Sequence, residues 1–140
     1  MALQAIAYSS EAIPDLGSDG LEKLVQRSIE RNKLAGVTGL LLFDGQRFLQ
    51  YIEGPDDGLA VIYSRIIYSR LHTDVVELAR GRVAQRRLPY WSMRSIRVED
   101  TQLREAAFSD WTGLSLRGVG SQGTPTGVER LAALAAPYLV

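Results

Sequence analysis

The sequence predicts an α+β fold in which two helices cover one face of a mixed β-sheet, followed by a C-terminal helical extension. Apolar runs of strand length alternate with two segments of helical spacing, in the order strand, helix, strand, strand, helix, strand, strand. Turn residues separate these segments, and the character of the sequence changes after Val98. This order is that of a ferredoxin-like α+β sandwich.

The first strand and the first helix come before Gly36. Leu3 to Tyr8 is a short apolar run that stops at Ser9-Ser10, which predicts the first strand. From Asp19, a candidate N-cap, apolar residues recur at helical spacing as far as Leu34, and Gly36 ends this helix.

A hairpin and the second helix follow. Val37 to Phe43 is almost wholly apolar, as in a strand covered on both faces, and Asp44-Gly45 is a two-residue hairpin signal. Arg47 to Ile52 alternates and predicts the returning strand. After Pro55, the segment from Asp56 to Tyr68 carries an apolar stripe and predicts the second helix.

Val75 to Ala84 and Ser92 to Val98 predict the last two strands. We therefore divide the chain into a domain over residues 1–98 and a C-terminal helical cap or output segment over residues 99–140.

The C-terminal segment contains two predicted helices, Thr101 to Phe108 and Val128 to Leu139, joined by a loop rich in Gly, Ser and Thr from Gly113 to Gly127. The last helix is too apolar to be left in water. It must pack on the sheet face opposite the first two helices or on another subunit, and we expect a homo-oligomer.

Composition excludes several classes of function. Sixteen basic and sixteen acidic residues give no net charge, which disfavours direct nucleic-acid or membrane binding. The chain has no cysteine, and His72 is its only histidine, so neither a catalytic triad nor a metal site is predicted. No apolar run approaches the ~20 residues of a membrane span, and no signal peptide is recognisable, so we expect a cytoplasmic protein.

Five dispersed residues indicate a different chemistry: Tyr8, Asn32, Gln50, Trp91 and Met93. Each has an ordinary explanation when taken alone, as a core ring, a helix end, a sheet-edge amide or a gap-filling thioether. Together they suit hydrogen bonding and electron transfer to a flat redox chromophore better than acid–base or metal chemistry.

These residues and their spacing, with the stretches Gly36 to Phe43 and Arg47 to Pro55, resemble the BLUF family of blue-light sensors that use FAD. The resemblance covers residues 1–98. It implies the same ferredoxin-like fold, noncovalent FAD and no enzymatic reaction. Signalling would occur through a light-driven rearrangement of a Tyr-Gln-flavin hydrogen-bond network, which acts on a partner protein or an oligomer interface.

The resemblance also implies roles for the polar residues. Tyr8 would donate an electron and a proton to the excited flavin, and Gln50 would lie between Tyr8 and the flavin. Asn32 would bond the carbonyl edge of the ring, while Leu24 and Ile66 would enclose its two faces.

Further contacts are implied at the edges of the ring. Arg31 and Arg65 would stand at the cavity mouth, near the ring carbonyl or the diphosphate. His72 would lie near the flavin, although Ser69 to His72 departs from the acidic-Pro-Arg-His pattern common in the family. Trp91 and Met93 belong to signal output: both can face Gln50, or one can replace the other.

Two other functions stay open on the sequence. A ferredoxin-like binding or assembly module would need no cofactor, and a small flavin-dependent reductase would need room for a nicotinamide above the ring. A hydrolase on this fold would need a basic residue in the loop from Ser9 to Gly20, which has none.

Overall fold

The computed structural model describes residues 2–116 and 123–139. No helix in these two ranges is long and apolar enough to cross a membrane. The elements are β1 (Leu3–Ala12), α1 (Gly17–Ala35), β2 (Thr38–Phe43), β3 (Arg47–Pro55), α2 (Asp56–Ile67), β4 (His72–Val83), β5 (Ser95–Arg97), α3 (Asp100–Ala107), α4 (Gly127–Ala135) and two short 3-10 helices, Thr112–Leu114 and Ala136–Tyr138.

One mixed sheet of five strands organises the molecule, in the order β4-β1-β3-β2-β5. The strands β1 to β4 pair antiparallel, and β5 runs parallel to β2. Because alternate strand residues point to opposite faces, the sheet separates two apolar clusters. This confirms the predicted α+β architecture.

The first cluster lies under α1 and α2 and is here called the α1/α2 face. It contains buried residues of the central strands and of α2, including Ile6, Tyr8, Leu41, Phe48 and Ile62. The cavity described below opens on this face.

The second cluster, the α3/α4 face, buries the C-terminal segment against the other side of the sheet. Leu103 of α3 and Leu131 of α4 join Leu40, Leu49 and Tyr51 of the central strands. The C-terminal helix therefore packs within its own chain, on the sheet face opposite the first two helices, which is the first of the two arrangements predicted for it.

A close contact fixes the start of α4. The indole of Trp111 lies so near Gly127 that any Cβ there would overlap the ring. The Trp111 Nε1 donates to Ala106 O at 2.9 Å, and Gly127 N donates to Asp110 O at 2.8 Å. The predicted loop from Gly113 to Gly127 lies partly outside the described residues.

The N-terminal boundaries differ from the prediction. β1 does not stop at Ser9-Ser10 but continues to Ala12, because Ser10 pairs with Phe48 across the sheet. α1 begins at Gly17, and Asp19 lies in its first turn, so the prediction that Asp19 is the N-cap is wrong.

The later strands also differ. β4 begins at His72, where it pairs with Ala12, and not at Val75. β5 is limited to Ser95–Arg97 instead of Ser92 to Val98. Residues 91–94 form no regular strand, although the carbonyl groups of Trp91 and Arg94 bond to β2 and that of Ser92 bonds to a side chain of α1.

Candidate functional site: a cavity between two helices and the sheet

A cavity with about 650 Å³ of open space, including its mouth, lies between α1, α2 and the sheet. Every residue predicted to contact the cofactor lines the cavity: Tyr8, Leu24, Arg31, Asn32, Gln50, Arg65, Ile66 and His72. The remaining lining residues were not predicted to contact the cofactor: Ser28, Leu41, Phe48, Ile62, Ser69 and Leu71.

Tyr8 and Gln50 form the floor of the cavity. They are direct cross-strand partners on β1 and β3, and the Tyr8 hydroxyl donates a hydrogen bond to Gln50 Oε1. Both side chains are buried. Burial raises the pKa of Tyr8, and the neighbouring Tyr63 raises it further, so the phenol keeps its proton at rest.

The other end of the Gln50 amide faces Met93. Gln50 Nε2 lies 3.6 Å from Met93 Sδ, and a thioether is a weak acceptor. A buried amide group needs strong partners for both N–H bonds. Since no other described residue accepts from this nitrogen, the cavity suits a ligand with an acceptor next to Gln50.

Met93 and Trp91 lie on opposite sides of the sheet. Met93 is buried in the α1/α2 face, whereas Trp91 packs against the α3/α4 face. The sequence allows two arrangements: Trp91 and Met93 both face Gln50, or one of them replaces the other there. In the structure Met93 alone faces Gln50. The alternation rule does not apply to residues 91–94, because they precede β5 and form no regular strand.

Three hydrogen bonds hold this segment. Asn32 Nδ2 donates to Ser92 O at 2.6 Å. Gly39 N donates to Trp91 O at 3.1 Å, and Leu41 N donates to Arg94 O at 2.8 Å. The buried side chain of Asn32 thus links the cavity wall directly to the segment that carries Met93.

His72 closes the far wall of the cavity. Its Nε2 lies 2.7 Å from Ile66 O, which can only accept, so this nitrogen carries the proton. Its Nδ1 lies 2.8 Å from Ser10 Oγ, within hydrogen-bond distance. The ring ties the end of α2 to β1 and packs edge-on against Tyr8 with centroids 5.8 Å apart.

Glu53 does not line the cavity, and the sequence motif that contains it indicates no role for it. It is completely buried and accepts hydrogen bonds from Arg87 N at 2.9 Å, from Leu88 N at 2.7 Å and from the Tyr51 hydroxyl at 2.9 Å. Burial raises the pKa of Tyr51, as does the Glu53 carboxylate, so Tyr51 stays a donor. Glu53 therefore anchors the start of the segment that leads to Met93. A carboxylate within an apolar strand is the signal that could have identified it.

The family follows from a sequence model described as "Sensors of blue-light using FAD", which matches residues 3–94. This match covers more than half of the chain, and the chain therefore belongs to the BLUF family. The BLUF domain is a sensory module, which confirms the predicted class of domain, a blue-light sensor.

Relatives extend this assignment. The blue light- and temperature-regulated antirepressor BluF of Escherichia coli K12 is 36% identical over 76 residues, which are 54% of this chain and 19% of that protein. The photoactivated adenylate cyclase subunit beta of Euglena longa is 30% identical over 98 residues, 69% of this chain and 11% of that protein. The chain thus spans less than a fifth of either relative.

Solved structures agree with the fold. The dark-state structure of BlrB, a BLUF protein, has a TM-score of 0.69 at 26% identity and covers 99% of this chain and 98% of its own. The BLUF domain of BlrP1 has a TM-score of 0.61 at 37% identity, with 76% and 70% covered. These neighbours confirm the ferredoxin-like fold.

Proposed function

We propose that the cavity binds oxidised FAD without a covalent bond and that light acts on Tyr8 and Gln50. Flavin binding is a property of the family, and two features support FAD in this chain. Leu24 and Ile66 approach from the two helices, as the enclosure of a flat ring requires. Arg31 and Arg65 line the mouth, and neither takes part in an ion pair among the described residues, which leaves them available to a diphosphate.

The observation that carries the proposal is the hydrogen bond from the Tyr8 hydroxyl to Gln50 at the cavity floor. Bound flavin would supply absorption of blue light and, when excited, a strong one-electron oxidant. Tyr8 gives up an electron and then its proton. Because the two ends of an amide have similar shape and opposite polarity, Gln50 can rotate or tautomerise and reverse its hydrogen bonds without repacking the core.

The route of output begins at Met93 and leads to the C-terminus. A change at Gln50 acts on Met93, its neighbour at 3.6 Å. One residue further on, the Arg94 guanidinium lies 5.2 Å from the Trp91 ring and 4.8 Å from the Tyr138 ring. Arg94 thus links the segment beside the cavity to the 3-10 turn at the C-terminal end, and we propose residues 99–140 as the output segment.

The partner is proposed to be another protein. The matched relatives include an antirepressor and a subunit of an adenylate cyclase, which differ in output while sharing the sensor. A homo-oligomer and a cytoplasmic location stay predictions. Because the structure buries Val128 and Leu131 within the chain, an oligomer would have to form through other, exposed side chains. Light scattering in darkness and in light tests the oligomer.

One absorption experiment tests the function. Wild-type protein should purify yellow, release its flavin into the supernatant on heating and show a reversible red shift in blue light. Tyr8→Phe should keep the flavin and lose the red shift, because the ring volume remains while the transferable proton is gone. Tyr51→Phe, a buried tyrosine on the opposite sheet face, is the matched control and should behave as wild type. Protein that stays colourless after FAD is added would favour the cofactor-free binding module.

A further inference from the structure

A second tyrosine, Tyr63 of α2, lies against Tyr8. The two ring centroids are 6.2 Å apart, with the planes inclined by 57°. The only other described ring in such contact with Tyr8 is that of His72, and an imidazole is much harder to oxidise than a phenol. Trp91, the other candidate electron donor, packs on the far side of the sheet.

Tyr63 has a proton acceptor that Tyr8 lacks. Burial raises the pKa of the Tyr63 phenol, and the neighbouring Glu77 carboxylate of β4 raises it further, while Arg80 lowers it. Glu77 is the cross-strand partner of Tyr8, which explains how its carboxylate reaches this position. The Tyr8 hydroxyl, by contrast, bonds to the amide of Gln50, which is a very poor base.

Arg80 controls the charge at this site. Its guanidinium lies 5.0 Å from the centroid of the Tyr63 ring and 2.6 Å from Glu77 Oε1. A cation so close to the ring opposes a positive charge on it. Oxidation of Tyr63 is therefore favourable only when its proton leaves together with the electron, and Glu77 stands in place to take that proton.

We propose that Tyr63 is a second redox-active tyrosine, which returns an electron to oxidised Tyr8. The electron passes from Tyr63 to the Tyr8 radical cation while the Tyr63 hydroxyl proton passes to the Glu77 carboxylate. Tyr8 becomes a neutral phenol again, Tyr63 a neutral phenoxyl radical and Glu77 a carboxylic acid, so electrons, protons and charge balance. The step rests on the proposed function, since the photoexcited flavin is the oxidant that first takes an electron from Tyr8.

Electron transfer from Tyr63 to Tyr8, here called the relay, competes with the rearrangement of the Gln50 hydrogen bonds. A Tyr8 that has been re-reduced by Tyr63 no longer has to release its own proton towards Gln50. Each such event therefore ends without rearrangement of the Gln50 network. Removal of Tyr63 should eliminate the second radical and at the same time raise the yield of the red-shifted state.

The test is electron paramagnetic resonance after a blue flash on flavin-loaded protein, with the red shift recorded on the same samples. Wild type should show the neutral radical of Tyr63 beside that of Tyr8. Tyr63→Phe and Glu77→Gln should both lose the Tyr63 signal, and both variants should give more red-shifted product. Tyr68→Phe is the matched control on α2's C-terminal cap, because this tyrosine is 82% exposed and makes no ring contact with Tyr8. If Tyr63→Phe does not retain flavin, the radical signal and the red-shifted yield of Glu77→Gln decide whether the relay operates.

An unchanged radical in the Tyr63 and Glu77 variants, or no tyrosyl radical in the wild type, would overturn the relay. The Tyr8→Phe variant separates this outcome from failure of the proposed function. A normal red shift in Tyr8→Phe contradicts the photochemical role of Tyr8 itself. Loss of the red shift in Tyr8→Phe with an unchanged radical in Tyr63→Phe contradicts the relay alone.

Discussion

Tyr8 and Gln50 occupy directly opposed positions on β1 and β3, and the hydroxyl of one bonds to the carboxamide of the other. Gln50 is also the direct partner of Leu41 on β2. The register of three adjacent strands therefore fixes the Tyr8–Gln50 contact, independently of any loop. A one-residue slip would turn Gln50 to the α3/α4 face, so the same sheet pairing that builds the fold also builds the site.

Gln50→Leu separates a glutamine switch from a generic polar pocket. Leucine preserves the approximate volume but makes none of the amide's hydrogen bonds, so flavin should stay bound by ring burial while the light-induced red shift disappears. The unpaired, buried Tyr8 hydroxyl should lower the free energy of unfolding by about 1–3 kcal/mol. Visible spectra and the carbonyl infrared difference spectrum measure the switch. A red shift with a wild-type C4=O downshift would contradict the role of Gln50.

The sequence predicted the strands and helices around the cavity because periodicity reports which face of an element is buried. It did not predict that Trp91 and Met93 separate to the two sheet faces. That separation depends on the hydrogen bond from Asn32 to Ser92 O and on the ladder bonds from β2, which join residues up to 60 positions apart in the chain. No local pattern encodes such contacts.

The ends of β1 and β4 show the same limit. Ser10 and His72 are polar, so the sequence pattern does not extend a strand through either of them. It also indicates no anchoring role for them. In the structure both are buried, and they satisfy each other through the hydrogen bond at 2.8 Å. Polarity alone therefore underestimates strand length wherever a buried polar pair lies between two strands.

Arg94→Ala should loosen the C-terminal turn. The variant loses the cation–π contacts to Trp91 and Tyr138, each worth about 0.5–1 kcal/mol at exposed sites. Hydrogen exchange of residues 136–139 should rise in darkness, and its light-induced change should disappear. Arg97→Ala is the control, since Arg97 lies over Phe43 and not over the C-terminal turn. A light response in residues 136–139 that survives in Arg94→Ala would exclude this route of output.

Leu131→Ala tests the packing of α4 on the sheet. Leu131 is 1% exposed, and removal of a fully buried leucine side chain should cost about 2–5 kcal/mol. Leu139→Ala is the control, because Leu139 is 44% exposed and should cost far less. Urea denaturation followed by circular dichroism gives both values. Equal, small costs would mean that α4 does not bury its apolar face against the sheet in solution.

Glu53→Gln tests whether the buried carboxylate holds the segment that leads to Met93. A carboxylate accepts from the Tyr51 hydroxyl and from the backbone N–H groups of Arg87 and Leu88 together. A carboxamide has only one acceptor oxygen, and its NH2 must face at least one backbone N–H, so a buried donor is left without a partner.

The expected loss is about 1–3 kcal/mol of unfolding free energy, with faster hydrogen exchange at Arg87 and Leu88. Tyr51→Phe is the graded control: it removes one donor, leaves both backbone bonds in place and should cost only about 0.5–1.5 kcal/mol. Because Met93 follows Leu88 by a few residues, a displaced segment should also alter the 3.6 Å contact between Met93 and Gln50 and shift the dark-state flavin band in Glu53→Gln but not in Tyr51→Phe. If Arg87 and Leu88 remain as protected in Glu53→Gln as in the wild type, the segment is held by its bonds to β2 and Asn32 and not by Glu53.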